Sequence, residues 1–457
     1  LRLADNWPED PCSDLVAATD AVLLFLASRG QPGERMSLED LEVAQACFFG
    51  ISRALRATHP TRSEYPEQHA EMRNKICSLI LAKLEAEIFW MGKCIRYSRV
   101  LADANHSIVQ GACRLVARCA WTFAQQLTYH EDLKSAMQAL PVAARTLSDI
   151  WSWTEPVNNI PLCIIGTALK DDFWKGCGII DAMYIFTQGC DDATLLVLGE
   201  ILRTKPHYKA AANEFARLST DRVQMLEQAC RAAKRNPPLI LKSLTHVMKI
   251  VTNFVLCGDH YIIRALQKKP FLHHFMSTLF LVSTHLWADC KDPKDLPLSE
   301  CLAPLQLVHD VLPLWTNTFP SAAYVMRELL DAGMNLPLLL LSTIAFFQNY
   351  DISNRCPGDF PRRAYLLYRA TLEWVADFTL YPSLANDLFS SFRDADTELQ
   401  KVFCSSYGDR NVIIWEGFSA FLGRRAEQQK HSLRTDLCDS ISVGLPTHLP
   451  AAMLNLQ

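Results

Sequence analysis

The residues best placed to do chemistry are Asn386, Ser390 and Asp394. Spacings of four and eight put their three oxygens on one face of a helix. Octahedral Mg²⁺ bound to a diphosphate takes ligands of this kind. Asp171 and Asp172 offer the second acidic pair such a site requires, from another part of the chain. A competing reading needs no metal. Ser383 follows Pro382 and suits an N-cap, which leaves Asn386 and Asp387 in a first helical turn where an acid is favoured. Leu384, Leu388, Phe389 and Phe392 then form the buried stripe, with Ser390 and Asp394 at its edge.

Other reactive side chains are scattered. His273 and His274 are adjacent, so they point about 100° apart on a helix and cannot share a metal. His246 and His260 have no histidine at helical spacing. Basic pairs at Lys234-Arg235, Lys268-Lys269, Arg362-Arg363 and Arg424-Arg425 fall at helix ends, where they complement the negative dipole end. Nucleic-acid binding calls for a continuous basic stripe with interleaved aromatics. Only Tyr365 and Tyr368 beside Arg362 and Arg363 approach that. The formal net charge of −4 gives no basic field for nucleic acid or an anionic membrane. Nucleophile elbows, phosphate-binding glycine loops, His-Glu-x-x-His and EF-hand loops are absent from the sequence.

The chain carries 16 cysteines but no Cys-x-x-Cys pair. Cys47, Cys77, Cys94, Cys113, Cys119, Cys163, Cys230 and Cys257 lie in apolar helical runs, where a thiol behaves as a small hydrophobe. With no signal-peptide pattern at the start, the reading is reduced thiols in a cytoplasmic or nuclear protein.

The elements that must position these groups are helices. Apolar residues recur at three- and four-residue spacing from residue 14 to about 430, broken by Pro, Gly, Asn or charge clusters. The strongest signal spans residues 67–103, with Ile76, Leu79, Ile80, Leu84, Ile88 and Met91 on one stripe and Lys75, Glu85 and Lys93 opposite. Further helices are predicted over 14–28, 38–57, 105–129, 132–140, 171–188, 192–204, 209–218, 221–234, 238–257, 259–267 and 271–288. The series continues over 298–319, 322–332, 336–350, 362–380, 382–403 and 412–429. Residues 162–167 are a short apolar run read as a helix start. Two windows without Asp, Glu, Lys or Arg, 271–288 and 332–350, approach membrane-spanning length; both are read as core helices. The fold class is all-α: an irregular armadillo/HEAT-like α-solenoid of stacked antiparallel helix pairs. An N-terminal array over 1–288 and a C-terminal array over 298–430 meet at the polar loop 289–297. Residues 431–457 read as a weakly packed tail.

Two resemblances add to this reading. The segment Asn386-Asp-Leu-Phe-Ser390-Ser-Phe-Arg-Asp394 resembles the second metal motif of class I terpene synthases, which normally ends in Glu. Asp171-Asp172 then stands for the partner motif, with Lys175 and Gly176 where a third acid is expected. That resemblance implies a helical enzyme holding Mg²⁺ and diphosphate through Asp171, Asp172, Asn386, Ser390 and Asp394. The overall grain resembles the large helical proteins of mushroom-forming fungi that often end in a MYND-type zinc finger. It rests on the helical span from Ser37, on Leu147-Ser-Asp-Ile-Trp-Ser-Trp153, and on the closing helix 412–429 followed by Arg434-Thr-Asp-Leu-Cys-Asp439. In those relatives the finger begins near the position of Cys438. No cysteine follows Cys438 here, so the finger's zinc and partner roles are not carried over.

The expectation is therefore a non-catalytic scaffold or adaptor that binds a protein partner, with no cofactor, no nucleic acid and no membrane span. The alternative is the helical enzyme, and it requires the five oxygen-bearing residues to meet in one pocket.

Overall fold

The computed structural model describes residues 13–28, 38–59, 66–104, 109–156, 158–162, 177–232, 236–289, 298–318, 322–331, 335–349, 360–402 and 419–427. Among them the chain is all-α, and β pairing is limited to one bridge between Thr154 and Pro161. Compactness divides the chain into two units, Leu1–Lys269 and Pro270–Gln457.

The first unit holds α1 (Ser13–Ser28), α2 (Leu38–Ala57), α3 (Pro66–Ala104), α4 (Val109–Tyr129), α5 (Glu131–Ala139) and α6 (Pro141–Ser152). It continues with α7 (Gly178–Thr187), α8 (Asp191–Leu202), α9 (Tyr208–Arg231), α10 (Pro237–Leu256) and α11 (His260–Lys268). Most starts carry a local cause. Asn236 accepts from the Leu239 amide at 3.2 Å to open α10, and Asp259 accepts from Tyr261 and Ile262 at 2.9 and 3.0 Å to open α11. Pro141 occupies the first turn of α6, where a missing N–H is harmless.

Two local outcomes differ from the sequence expectation. Residues 209–218 and 221–234 are not two helices; α9 runs unbroken through Ser219-Thr220. Both hydroxyls bond back to the carbonyls of Phe215 and Ala216 at 2.8 Å, so they stop competing for the backbone. A helix absent from the expected series, α6, follows Pro141 directly. The Leu162 amide donates to the Trp153 carbonyl at 3.3 Å, and the rest of the run read as a helix start, 163–167, lies outside the described residues. Residues 163–176, with Asp171 and Asp172, lie outside the described residues.

The core stripe of α3 is as expected at Ile76, Ile80, Leu84, Ile88 and Met91, while Leu79 is half-buried. Contacts between helices fix their directions. Along α3 and α4, Glu87 meets Gln126 and Cys94 acts on Cys119, so the pair is antiparallel. Along α3 and α6, Gly92 meets Thr146, Arg96 pairs with Asp149 and Arg99 approaches Ser152, so that pair is parallel. Phe48 with Thr122 and Thr58 with Tyr129 make α2 parallel to α4. Trp121 with Gly178 and Phe123 with Phe186 make α4 parallel to α7. Asp181 with His246 and Thr187 with Asn253 do the same for α7 and α10.

Gly178 is what lets α7 close on α4. A Cβ there would meet the Trp121 backbone N and Cα, both at 3.2 Å. Backbone cannot step aside as a flexible side chain can. Gly178→Ala is expected to destabilise by about 1–3 kcal/mol in urea unfolding, against the small gain a glycine-to-alanine change brings in an open helix.

The second unit contains α12 (Phe271–Asp289), α13 (Leu298–Thr318), α14 (Ala322–Asp331), α15 (Asn335–Asn349), α16 (Phe360–Asp377), a 3₁₀ turn (Phe378–Leu380) and α17 (Pro382–Val402). A last helical stretch covers 419–427. The second unit begins at α12, which packs on α13, α14 and α15. Phe271 stacks on Trp315 at 5.8 Å, with the rings 10° apart. Pro304 and Pro313 lie inside α13.

Among the described residues one helix, α10, is long and apolar enough to cross a membrane, and 61% of that window is buried inside the protein. It differs from the two windows singled out in the sequence, and it carries Lys242 and Lys249 on its outward side.

Candidate functional site

The oxygen ligands singled out in the sequence fall on α17. Pro382 takes the first helical position there, and the Leu384 and Ala385 amides bond to the Tyr381 carbonyl at 3.0 and 3.1 Å. The helix thus begins one residue before the expected Ser383 cap. Leu384, Leu388 and Phe392 are buried as the stripe predicts, Phe389 is only half-buried, and Ala385 is buried beside them. Asn386 and Asp394 are exposed and Ser390 is half-buried. Ser390 Oγ donates to the Asp387 carbonyl at 3.1 Å, and Asp394 accepts from Arg393 at 3.3 Å. Asp171 and Asp172, the other half of the arrangement, lie outside the described residues. Among the described residues, no three His, Cys, Asp or Glu side chains gather as a metal requires. Asn386→Ala and Asp394→Ala are expected to shift the unfolding midpoint only slightly, since surface changes stay within about 0.5 kcal/mol. Mg²⁺ with diphosphate, titrated by calorimetry, is expected to give no heat that depends on Asp394.

A more organised cluster joins α7 to α10. Asp181 is buried on α7, and its Oδ1 lies 2.8 Å from His246 Nδ1 on α10. The His246 ring stacks on Tyr184, with centroids 3.9 Å apart and planes 17° apart. Lys242 reaches to 4.0 Å from Asp181 Oδ2, and Lys249 lies 5.9 Å from the centre of the Tyr184 ring. The side chain of His246 is 13% exposed, that of Asp181 7% and that of Lys242 52%. The sequence left His246 isolated because its partner comes from another helix. Position 181 is an acid in an otherwise apolar helix, Gly-Ile-Ile-Asp-Ala-Met, and that was the available signal. Asp181 holds the His246 ring in place through Nδ1.

His273 and His274 behave as their adjacency predicts. Their rings are 5.3 Å apart and 88° to each other. His260 stands exposed beside Tyr261, 3.9 Å between ring centres.

A second polar group is sealed between α3 and α4. Glu87 and Gln126 are both fully buried, and Gln126 Nε2 donates to Glu87 Oε1 at 2.6 Å. The remaining oxygens, Glu87 Oε2 and Gln126 Oε1, have no protein donor. Burial pushes the Glu87 carboxyl up to about 7, with the Gln126 bond opposing that rise. Around the pair the thiols of Cys94 and Cys119 are also raised by burial, that of Cys94 to about 12. Burial also raises the thiols of Cys77, Cys113 and Cys257, and such raised values make these five thiols poor nucleophiles.

No protein-family model, no curated protein and no solved structure matches this chain.

Proposed function

We propose that this protein is a non-catalytic interaction scaffold, and that its first unit is an irregular α-solenoid of stacked antiparallel pairs. The observation that carries the reading is the helix directions. The α3–α4 pair is antiparallel, while α2, α4, α7 and α10 run parallel in one row and α3 and α6 in another. Repetition of that kind lays successive helices side by side and leaves each with one outward stripe. On α4 the residues that are not buried are 110, 111, 113, 114, 118, 121, 125 and 128, a single stripe at helical spacing. An extended surface of this type suits a protein partner better than a small substrate. The texture shared with the mushroom helical proteins fits the same reading.

The test is affinity capture of the native protein with cross-linking. A stoichiometric protein partner, cross-linked to outward residues of this unit, is the expected result. A protein recovered alone, with tight Mg²⁺-diphosphate binding that Asp394→Ala abolishes, would replace this reading by the helical enzyme.

A further inference from the structure

The outward stripes of α4, α7 and α10 together carry cations and no exposed acid. The chain as a whole carries 49 acidic residues against 45 Lys and Arg. Across these three helices the only acid is Asp181, which is buried and held by His246. The cations are Arg114 and Arg118 on α4 and Lys242 and Lys249 on α10, all exposed or half-buried. Between them the stripes show Trp121, Gln125, Tyr184, Gln188 and Asn253, none of which is buried. At the α2 edge, Arg53 and Arg118 both lie over the Phe49 ring, at 4.7 and 4.6 Å. The acids of α2 (Glu39, Asp40 and Glu42) are confined to its first turns, at the far end from Arg53. The other row differs. Along α3, α6 and α8 both signs are mixed: Lys75 with Glu71, Arg96 with Asp149, and Asp191, Asp192 and Glu200 on α8.

From this contrast we infer that the face formed by α2, α4, α7 and α10 is a docking surface for an extended, acidic peptide segment of a partner protein. The inference rests on the scaffold reading above and specifies its partner. Charge complementarity selects acids, since the face offers cations with no competing exposed carboxylate on α4, α7 or α10. Amides and aromatics between the cations select a polypeptide. Gln125, Gln188 and Asn253 can bond backbone N–H and C=O groups, and Trp121 and Tyr184 offer flat apolar area. Four cations, on two of the three helices, are sparse for a phosphate backbone, which wants a dense basic track. The spacing sets a length. Neighbouring helices lie about 8–10 Å apart and an extended chain advances about 3.4 Å per residue, so roughly three residues cross each helix. A segment of about nine residues then spans the row, and acids about six positions apart reach Arg118 and Lys249.

A fluorescein-labelled peptide of four Glu-Leu-Ser repeats tests this by anisotropy against the full chain. Its basic counterpart, Lys-Leu-Ser, and a single-stranded oligonucleotide of similar length are the comparisons. The acidic peptide is expected to bind, and to weaken as salt rises past the point where the Debye length is about 8 Å. Arg118→Glu with Lys249→Glu is expected to weaken it tenfold or more. Lys242→Glu, read together with its thermal midpoint because Lys242 also lies 4.0 Å from the Asp181 carboxylate, is expected to weaken it severalfold. Lys75→Glu with Lys93→Glu on α3 is expected to leave it unchanged. Equal binding of the basic peptide, tighter binding of the oligonucleotide, or indifference to both α10 and α4 reversals at unchanged thermal stability overturns the inference. Capturing partners with the Arg118→Glu/Lys249→Glu protein separates the two levels. Partners retained in full mean the scaffold stands and this face is wrong, whereas a wild-type protein without any partner overturns the scaffold itself.

Discussion

Replacing Glu87 by Gln is expected to remove about 3 kcal/mol of pH dependence from the stability of the first unit. The native state holds the Glu87 proton up to about pH 7, while an unfolded carboxyl sheds it near 4.5. A raised acid stabilises the fold fully below the lower value, and that contribution is lost as pH rises through the higher one. The wild-type protein should therefore be more stable at pH 5 than at pH 8. The geometry explains why the neutral form is preferred. Glu87 Oε2 and Gln126 Oε1 both lack a donor, and Gln126 Nε2 already bonds Oε1. One proton on Glu87 supplies the missing donor to Gln126 and closes a two-point acid–amide pair. The titratable group that faces Glu87 from α4 is Cys119, itself held protonated by burial. Of the charged groups on other helices packed on α3, Asp149 of α6 pairs with Arg96 and Lys134 of α5 with Glu131. An amide at position 87 can make the same two bonds without titrating. Urea unfolding of both proteins from pH 5 to pH 8 checks this. Parallel curves for wild type and Glu87→Gln would show that Glu87 is ionised throughout. Glu87→Ala should lose several kcal/mol at every pH, because it strands Gln126 and leaves a cavity.

That pair also marks where the sequence stops being legible. Helices were readable because their evidence is local: the α3 stripe, the Asp259 cap and the prolines at positions 141 and 382 all act within a turn or two. Ser219-Thr220 misled because a hydroxyl can either break a helix or bond back into it, and only the packed neighbours decide. Glu87 sits at an i+3/i+4 position of an apolar stripe between Leu84 and Ile88, so it was visible as an anomaly. Its partner was not, since Gln126 lies 39 positions away on another helix. His246 repeats the lesson with Asp181, 65 positions away in the chain. The charge of the α4–α7–α10 face was present in three acid-poor segments, but nothing local says that they form one row.

Arg222→Ala is expected to destabilise the first unit by about 3–5 kcal/mol, the largest loss from a single side chain away from the hydrophobic core. Arg222 on α9 is fully buried, an unusual place for a guanidinium. Its Nη2 donates to the Trp151 carbonyl at 2.6 Å and Nη1 to the Leu218 carbonyl at 3.4 Å. The group also lies 4.0 Å from the centre of the Trp151 ring. Trp151 belongs to the last turn of α6, where carbonyls lack helical partners and the helix dipole presents partial negative charge. A cation is thus stabilised there by a carbonyl, a dipole and an aromatic face together. The acid on the same helix, Asp221, feels that charge as well. Two substitutions separate volume from charge. Alanine removes both the packing over Trp151 and the donor. Methionine keeps most of the volume and strands only the carbonyl, so it should lose about 1–3 kcal/mol. Both are read from urea midpoints at fixed pH. Arg99 already approaches the neighbouring Ser152 carbonyl at 3.5 Å and is a nearby donor able to move over. A methionine variant as stable as the wild type would mean that Arg99 makes that move, and that the end of α6 needs a cation but not this one. Arg222→Met combined with Arg99→Met should then show the full loss that either change alone conceals.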